Sequence, residues 1–183
     1  MKTKVSLLLT GSELMNGDVT DTNSVVFAEH LNDIGLSIDK KVTIGDDQDL
    51  LAIEIAQLSQ GSDVLIINGG LGPTVDDLTA QVLATACSVN LVLHQQAHQH
   101  LKLWAEKRQT VLNIPNLKQA YLPENSTVIA NKTGSAVGFS VEFNQCLIIC
   151  TPGVPSELIH MLKEEIVPLL VKSFPAPKHN EIA

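Results

Sequence analysis

The stretch Val64-Leu-Ile-Ile-Asn-Gly-Gly-Leu-Gly-Pro-Thr-Val-Asp-Asp77 decides the fold. Its first four residues are all aliphatic, and a run without polar alternation reads as a strand covered on both faces. Gly69, Gly70 and Gly72 follow within four positions, then Pro73, Thr74 and two acids, Asp76 and Asp77, which the pattern reads as the opening of a helix. Strand, glycine loop and helix in that order form the repeating unit of a parallel α/β sheet. Ligands in such sheets bind beyond the carboxyl ends of the strands.

The same grammar extends in both directions. Upstream, Val5 to Leu9 reads as a strand that ends in Thr10-Gly-Ser-Glu13, and a helix with Phe27, Leu31 and Ile34 on one face runs from about Asn23 to Gly35. Leu36 to Ile44 is the next strand; Gly45-Asp-Asp47 caps a helix whose buried stripe is Leu51, Ile55 and Leu58 and which Gly61 ends. Downstream, His94 to Leu122 is helical with an interruption at Pro115, and Pro123-Glu-Asn125 marks a turn. Gly138 to Phe143 and Gln145 to Cys150 form a hairpin, and Pro152-Gly-Val-Pro155 leads into a last helix with Leu158, Leu162, Ile166 and Leu169 on its apolar face. Right-handed crossovers give an α/β fold, a mostly parallel sheet with helices on both faces. Residues 1–172 make one domain, and the Pro-containing stretch 173–183 reads as a flexible tail.

Composition narrows the function. The chain of 183 residues carries a formal charge of −8 and is 44% hydrophobic but only 3% aromatic, so the core is aliphatic. No Lys/Arg cluster offers a nucleic-acid footprint, which points away from nucleic acid as a partner. No apolar run reaches the roughly 20 residues that span a bilayer, so no membrane partner is expected. Cys87, Cys146 and Cys150 are odd in number and lack a CxxC spacing, and no leader-like segment precedes the first strand; a cytoplasmic location follows as the expectation. Cys146 and Cys150 share one strand, about 13 Å apart along its axis, too far to bridge.

Glycines at positions 69, 70 and 72 let the backbone come close to a ligand and turn successive N–H groups toward an anion. The loop is neither a Walker A sequence nor a dinucleotide Gly-x-Gly-x-x-Gly. Topology brings Glu13, Asp46, Asp47, Asp76 and Asp77 to the same sheet edge. Asp46 or Asp47, and Asp76, have an alternative role as helix N-caps. Several carboxylates beside a phosphate cradle would repel the ligand unless a hard cation lay between them, and Mg²⁺ takes such oxygen ligands. His94, His98 and His100 lack the acidic partner of a His-Glu-x-x-His site and read as a solvated helix face. Ser12, Ser135 and Ser156 have no adjacent His to activate them, which argues against a serine nucleophile.

These motifs together resemble the N-terminal domain of the CinA family (competence/damage-inducible protein), itself related to the MoaB/MogA molybdopterin-binding fold. The resemblance runs from about Lys4 to Leu170. Its markers are Gly11-Ser-Glu-Leu14 with Gly17, Asp21-Thr-Asn23, Gly45-Asp-Asp47, Gly69-Gly-Leu-Gly-Pro-Thr74 with Asp76-Asp-Leu-Thr79, Asn116-x-x-Gln-Ala120, Asn131, and Pro152-Gly-Val-Pro155 with Glu157. It implies a three-layer α/β/α sandwich and an enzyme, a nucleotide pyrophosphatase that hydrolyses ADP-ribose to AMP and ribose 5-phosphate. It also implies a divalent cation, Mg or Co, and help from potassium. Asp46 and Asp77 carry catalysis on this reading, with Asp76 beside them as metal ligands. Substrate contacts fall to Gly11, Glu13, Asn23, Gly69, Gly70, Gly72, Pro73, Thr74, Thr79, Asn131, Gly134, Ser135, Pro152, Gly153 and Glu157. The alternative is a module that binds molybdopterin or a nucleotide without cleaving it. Related domains assemble as dimers or trimers, so a homo-oligomer is expected.

The sequence departs from the family pattern in one loop. Gly134-Ser-Ala-Val-Gly138 stands where Gly-Thr-Ala-Pro-Gly is usual, and Val leaves free the φ that Pro would fix. No residues are left over for the C-terminal nicotinamide-nucleotide amidohydrolase domain that CinA proteins often carry, so that activity is not expected of this chain.

Overall fold

The computed structural model describes residues 2–175. The strands of its main sheet are β1 (Val5–Thr10), β2 (Ile38–Ile44), β3 (Val64–Asn68), β6 (Thr127–Ile129), β7 (Gly138–Phe143) and β8 (Cys146–Thr151). These six lie in the order β2-β1-β3-β8-β7-β6. The strands β2, β1, β3 and β8 pair in parallel, and β7 and β6 extend the sheet as antiparallel partners. The expected hairpin is β7 with β8. The expected mostly parallel sheet is present.

Two separate cores establish three layers. Along β1 the pleat sends Val5, Leu7 and Leu9 to one face and Leu8 to the other; along β3 it separates Val64 and Ile66 from Leu65 and Ile67. The odd-numbered β1 face packs against Phe27 and Leu31 of α2 (Asn23–Asp33) and Leu158 and Met161 of α7 (Pro155–Met161). On the opposite face lie Leu51, Ile55 and Leu58 of α3 (Gln48–Gly61), Val82 and Leu83 of α4 (Thr79–Ala86), and Ala97 and Leu101 of α5 (Gln95–Lys107). Of the stripes read from the sequence, Phe27, Leu31, Leu51, Ile55, Leu58, Leu158, Leu162 and Ile166 are buried, whereas Ile34 and Leu169 are only partly buried and Leu170 is the buried residue of the last helix.

Beyond α7 the chain widens into a π-helical turn, Leu162–Ile166, before α8 (Val167–Ser173). Pro168 accounts for this. It has no N–H for the carbonyl four residues back, and its ring presses on that carbonyl. The helix ends at Ser173, one residue past the expected boundary, and Phe174 packs against the core. The rest of the expected tail, 176–183, lies outside the described residues.

Three local expectations need correction. Asp76 and Asp77 do not open a helix: the chain makes a turn through them and α4 starts at Thr79. Pro115 does not interrupt a helix; it sits in the first turn of a new one, α6 (Ile114–Lys118), where its missing N–H has no partner to lose. Asn113 closes that turn with a reciprocal pair, accepting from Asn116 N at 2.9 Å while its own N–H reaches Asn116 Oδ1 at 3.3 Å. Around these helices lies a second, two-stranded antiparallel sheet of β4 (Leu91–Leu93) and β5 (Tyr121–Pro123), where the sequence pattern gives no strand.

Candidate functional site

Chain order places the site. From β1 the chain passes to β2 on one side while β3 and β8 lie on the other, so the sheet order reverses between β1 and β3, where an open α/β sheet leaves a crevice. A cleft of about 610 Å³ opens there, a size suited to a nucleotide-sized ligand. It is lined by the loops after β1, β2, β3 and β8 and by the segment Ser135-Ala136.

Its floor is the Gly69-Gly70 turn. Gly69 and Gly70 have φ of +109° and +70°, and a Cβ on Gly69 would stand 2.6 Å from the Thr10 carbonyl oxygen. Only glycine fits that approach. Thr79, fully buried at the start of α4, donates its hydroxyl to the Gly69 carbonyl at 2.9 Å and occupies the space a Cβ on Gly70 would need. The turn is therefore fixed from below before any ligand arrives.

Each of the two central carboxylates is anchored by one oxygen. Asp46 Oδ2 accepts from Ser12 N at 2.9 Å, and Asp46 N donates to Ser12 Oγ at 3.1 Å, which ties the loop after β2 to the short helix α1 (Ser12–Met15). Asp77 Oδ2 accepts from Thr74 N at 2.9 Å and Thr74 Oγ1 at 2.7 Å, closing the loop after β3 on itself. Asp47, in contrast, is the N-cap of α3, accepting from Leu50 N at 2.8 Å, and does not line the cleft.

Of the residues expected in the site, Gly11, Glu13, Asp46, Gly69, Gly70, Gly72, Pro73, Thr74, Asp76, Asp77, Ser135, Pro152, Gly153 and Glu157 line this one cleft. Asn23, Thr79, Asn131 and Gly134 do not line it and support it instead. Asn23 Nδ2 bridges Asn68 Oδ1 at 2.9 Å and Gly153 O at 2.8 Å, beside a smaller adjoining recess. Asn131 Oδ1 gathers Thr133 and Gly134, while its Nδ2 holds Glu157 Oε2 at 2.8 Å and Ala136 O at 2.7 Å. His100, read as part of a solvated face, pairs through Nε2 with Gly134 O at 2.8 Å and so steadies the same loop. Val137, in place of the usual Pro, is buried in the core.

The cleft's electrostatics are one-sided. Glu13, Asp46, Asp76, Asp77 and Glu157 line it, and no Lys or Arg does. Among the described residues no three His, Cys, Asp or Glu side chains come together as a set able to hold a metal ion. The expected trio Asp46, Asp76 and Asp77 thus lines one cleft without closing into a complete ligand cage. Mg²⁺ is commonly held by one or two carboxylates, with phosphate oxygens and water completing its shell, and this donor set fits that mode. Two buried oxygens of cleft-lining residues, Thr10 Oγ1 and Gln119 Oε1, and a third beside the adjoining recess, Asn23 Oδ1, have no hydrogen-bond partner within the protein. Unpartnered buried oxygens of this kind favour a ligand that brings donors or a cation.

Asp21, at the entrance of α2, is partly buried, which opposes its charge. Hydrogen bonds from Ser24 and the Lys41 ammonium outweigh that and hold its carboxyl below the ordinary value. Burial pushes the thiol of Cys146 up to about 12, with Asp63 adding to it, and raises that of Cys150 far above its ordinary value. Cys87, Cys146 and Cys150 are all unpaired.

Of the residues that line the cleft, sequence reading missed Thr10, Leu71, Gln119, Ala136, Val154 and Pro155, and it missed Lys118, which bonds the Thr74 carbonyl from outside the lining. Thr10 belongs to β1 rather than to the loop after it, and Leu71 and Ala136 carry no chemical signal of their own. Lys118 and Gln119 fall inside the marker Asn116-x-x-Gln-Ala120, which gave them a place without a role.

Comparison with known proteins agrees with this geometry. A family model of probable molybdopterin binding domains matches residues 6–172. A CinA-like protein of Colwellia psychrerythraea is 57% identical over 173 residues, 94% of this chain and 40% of that protein. One from Escherichia coli O17:K52:H18 is 42% identical over 175 residues, 96% of this chain and 44% of that protein. The chain thus spans about two fifths of the length of these relatives. A crystal structure of CinA from Thermoplasma acidophilum superimposes with a TM-score of 0.81 at 26% identity, covering 94% of this chain and 98% of that one. The molybdopterin biosynthesis enzyme MoaB of Thermus thermophilus shares the fold at a TM-score of 0.61 and 16% identity, over 93% of each chain. By its fold, its motifs and these relatives, the chain belongs to the molybdopterin-binding domain family, in the form found in CinA-like proteins.

Proposed function

We propose that this domain is a cation-dependent nucleotide pyrophosphatase that cleaves ADP-ribose to AMP and ribose 5-phosphate in the cytoplasm. The observation that carries the reading is the pairing of a glycine cradle with five carboxylates and no lining Lys or Arg. A diphosphate entering such a cleft needs a cation at its side, and the carboxylates attract one. Asp46 and Asp77, each with one oxygen anchored, present the other to that cation. When bound, Mg²⁺ or Co²⁺ would neutralise phosphate charge and lower the pKa of a bound water. Potassium belongs to the same proposal as a helper ion.

The chain's own groups do the rest. The turn at Gly69 and Gly70 is held by the Thr79 hydroxyl and by the Gly69 N–H, which donates to the Thr151 carbonyl at 2.9 Å, so it is the Gly70 N–H that is left to meet the diphosphate without reorganising. Asp77, by gripping Thr74, fixes the shape of the loop that receives the phosphates. Glu157, held by Asn131 and lining the same cleft, suits the hydroxyls of a ribose.

The purified chain should release AMP from ADP-ribose with Mg²⁺ or Co²⁺ present and not in EDTA. Asp46→Asn and Asp77→Asn should each lower turnover by about 100-fold or more, the scale expected for a group acting directly on the reacting atoms. Full turnover in both variants would remove these residues from the mechanism. A second reading has its own support: the carboxylates do not close into a cage, as a site that only binds would allow. Tight binding of molybdopterin or a nucleotide without AMP release would favour that binding module.

A further inference from the structure

Two consecutive side chains reach two different walls of the cleft. At the end of α6, Lys118 Nζ donates to the carbonyl oxygen of Thr74, in the loop after β3. The next residue, Gln119, donates from Nε2 to Ser135 Oγ at 3.0 Å, in the loop after β6. Thr74 and Ser135 both line the cleft. Thr74 is thereby gripped twice, through its N–H and hydroxyl by Asp77 and through its carbonyl by Lys118.

Lys118 lines a recess behind the cradle with Gly70, Leu71, Gly72 and Asp77. Its ammonium is engaged by the Thr74 carbonyl there and does not line the open side of the cleft. Gln119 is buried, and its Oε1 has no partner within the protein. An amide buried with one end bonded to a loop and the other unsatisfied is unfavourable for folding alone, by about 1–3 kcal/mol. Its place in the cleft wall points to a task there.

We infer that Lys118 and Gln119 are positioning residues, a two-pronged clamp that sets the spacing of the cradle and the Ser135 loop for a diphosphate ligand. This rests on the pyrophosphatase reading for the reaction it serves. The clamp acts through Thr74 and Asp77, so its loss misplaces Asp77 rather than removing a binding charge. A displacement of about 1 Å at such a site lowers turnover by about 100-fold.

The test uses the full chain with ADP-ribose and Mg²⁺, and with hydrogen exchange of the backbone amides as a second readout. Lys118→Met should lower kcat by about 10- to 100-fold with KM nearly unchanged and speed exchange at residues 72–77. Lys118→Arg, which keeps a donor in reach of Thr74, should restore most of both. Gln119→Leu should speed exchange at 133–136 and lower kcat as well. Should Lys118→Met fail to fold, the Arg and Gln119→Leu variants still decide. Unchanged kcat and exchange would overturn the clamp, as would a rise in KM alone, which would make Lys118 a plain phosphate-binding charge. A wild-type chain without turnover would sink the pyrophosphatase reading by itself, and exchange would then decide the clamp alone.

Discussion

Thr79 carries no charge and touches no solvent, yet the cradle depends on it. Its hydroxyl satisfies the Gly69 carbonyl at 2.9 Å, and its side chain fills the volume under Gly70. Thr79→Val keeps the shape and removes the hydroxyl, leaving a buried carbonyl unpaired. The expected loss is about 1–3 kcal/mol in denaturant unfolding. Gly70→Ala acts by the opposite route, forcing a Cβ onto Thr79 at a φ of +70°. Strain of this kind costs on the order of 1–3 kcal/mol before any clash is counted. Because both changes touch the same contact, the double variant Gly70→Ala/Thr79→Ala, which removes the hydroxyl that the new Cβ would strike, should be more stable than the sum of the single losses. Simple additivity would show that the two residues do not share their space.

At the scale of elements, the capping pair of α6 matters because that helix carries the clamp. Asn113→Ala removes the acceptor for Asn116 N and should destabilise the chain by about 1 kcal/mol. It should also speed exchange across 114–118 and reduce turnover less than Lys118→Met does. Loss of the cap with no change in local exchange would mean that packing alone holds α6. This helix is also where the sequence was hardest to read. Its five residues are too few for a periodic stripe, and Pro115 reads as an interruption unless Asn113 is recognised as a cap. The β4–β5 sheet escaped for the same reason: strands of three residues leave no alternation to find. The long elements were legible because β1, β3 and β8 are dominated by apolar residues and the helix stripes repeat over several turns. The glycine cradle and its carboxylates were legible as motifs. The reach of Lys118 to Thr74 spans 44 residues of sequence and depends on tertiary placement, which no local pattern encodes.

For the molecule as a whole, charge couples the cleft to its ligands. The chain has a formal charge of −8, and five of its carboxylates line the cleft without a lining Lys or Arg. An anionic diphosphate alone meets an unfavourable field, and a cation alone meets an incomplete set of protein ligands. Each should complete the site for the other. Thermal unfolding measured with Mg²⁺ and a methylene-bridged, uncleavable ADP-ribose analogue should therefore show a larger rise in Tm with both than the sum of the two separate rises. At 100 times the Kd, a ligand that binds only the native state adds about 2.7 kcal/mol of stability. For a domain of this size that is about 5 to 10 °C. Asp46→Asn and Asp77→Asn remove the charges that attract the cation, so the excess should shrink in each variant while the shift from the analogue alone stays the same or grows. Equal, merely additive shifts in wild type and variants would place the cation away from the diphosphate, and the cleft would then have to balance its five carboxylates by some other means.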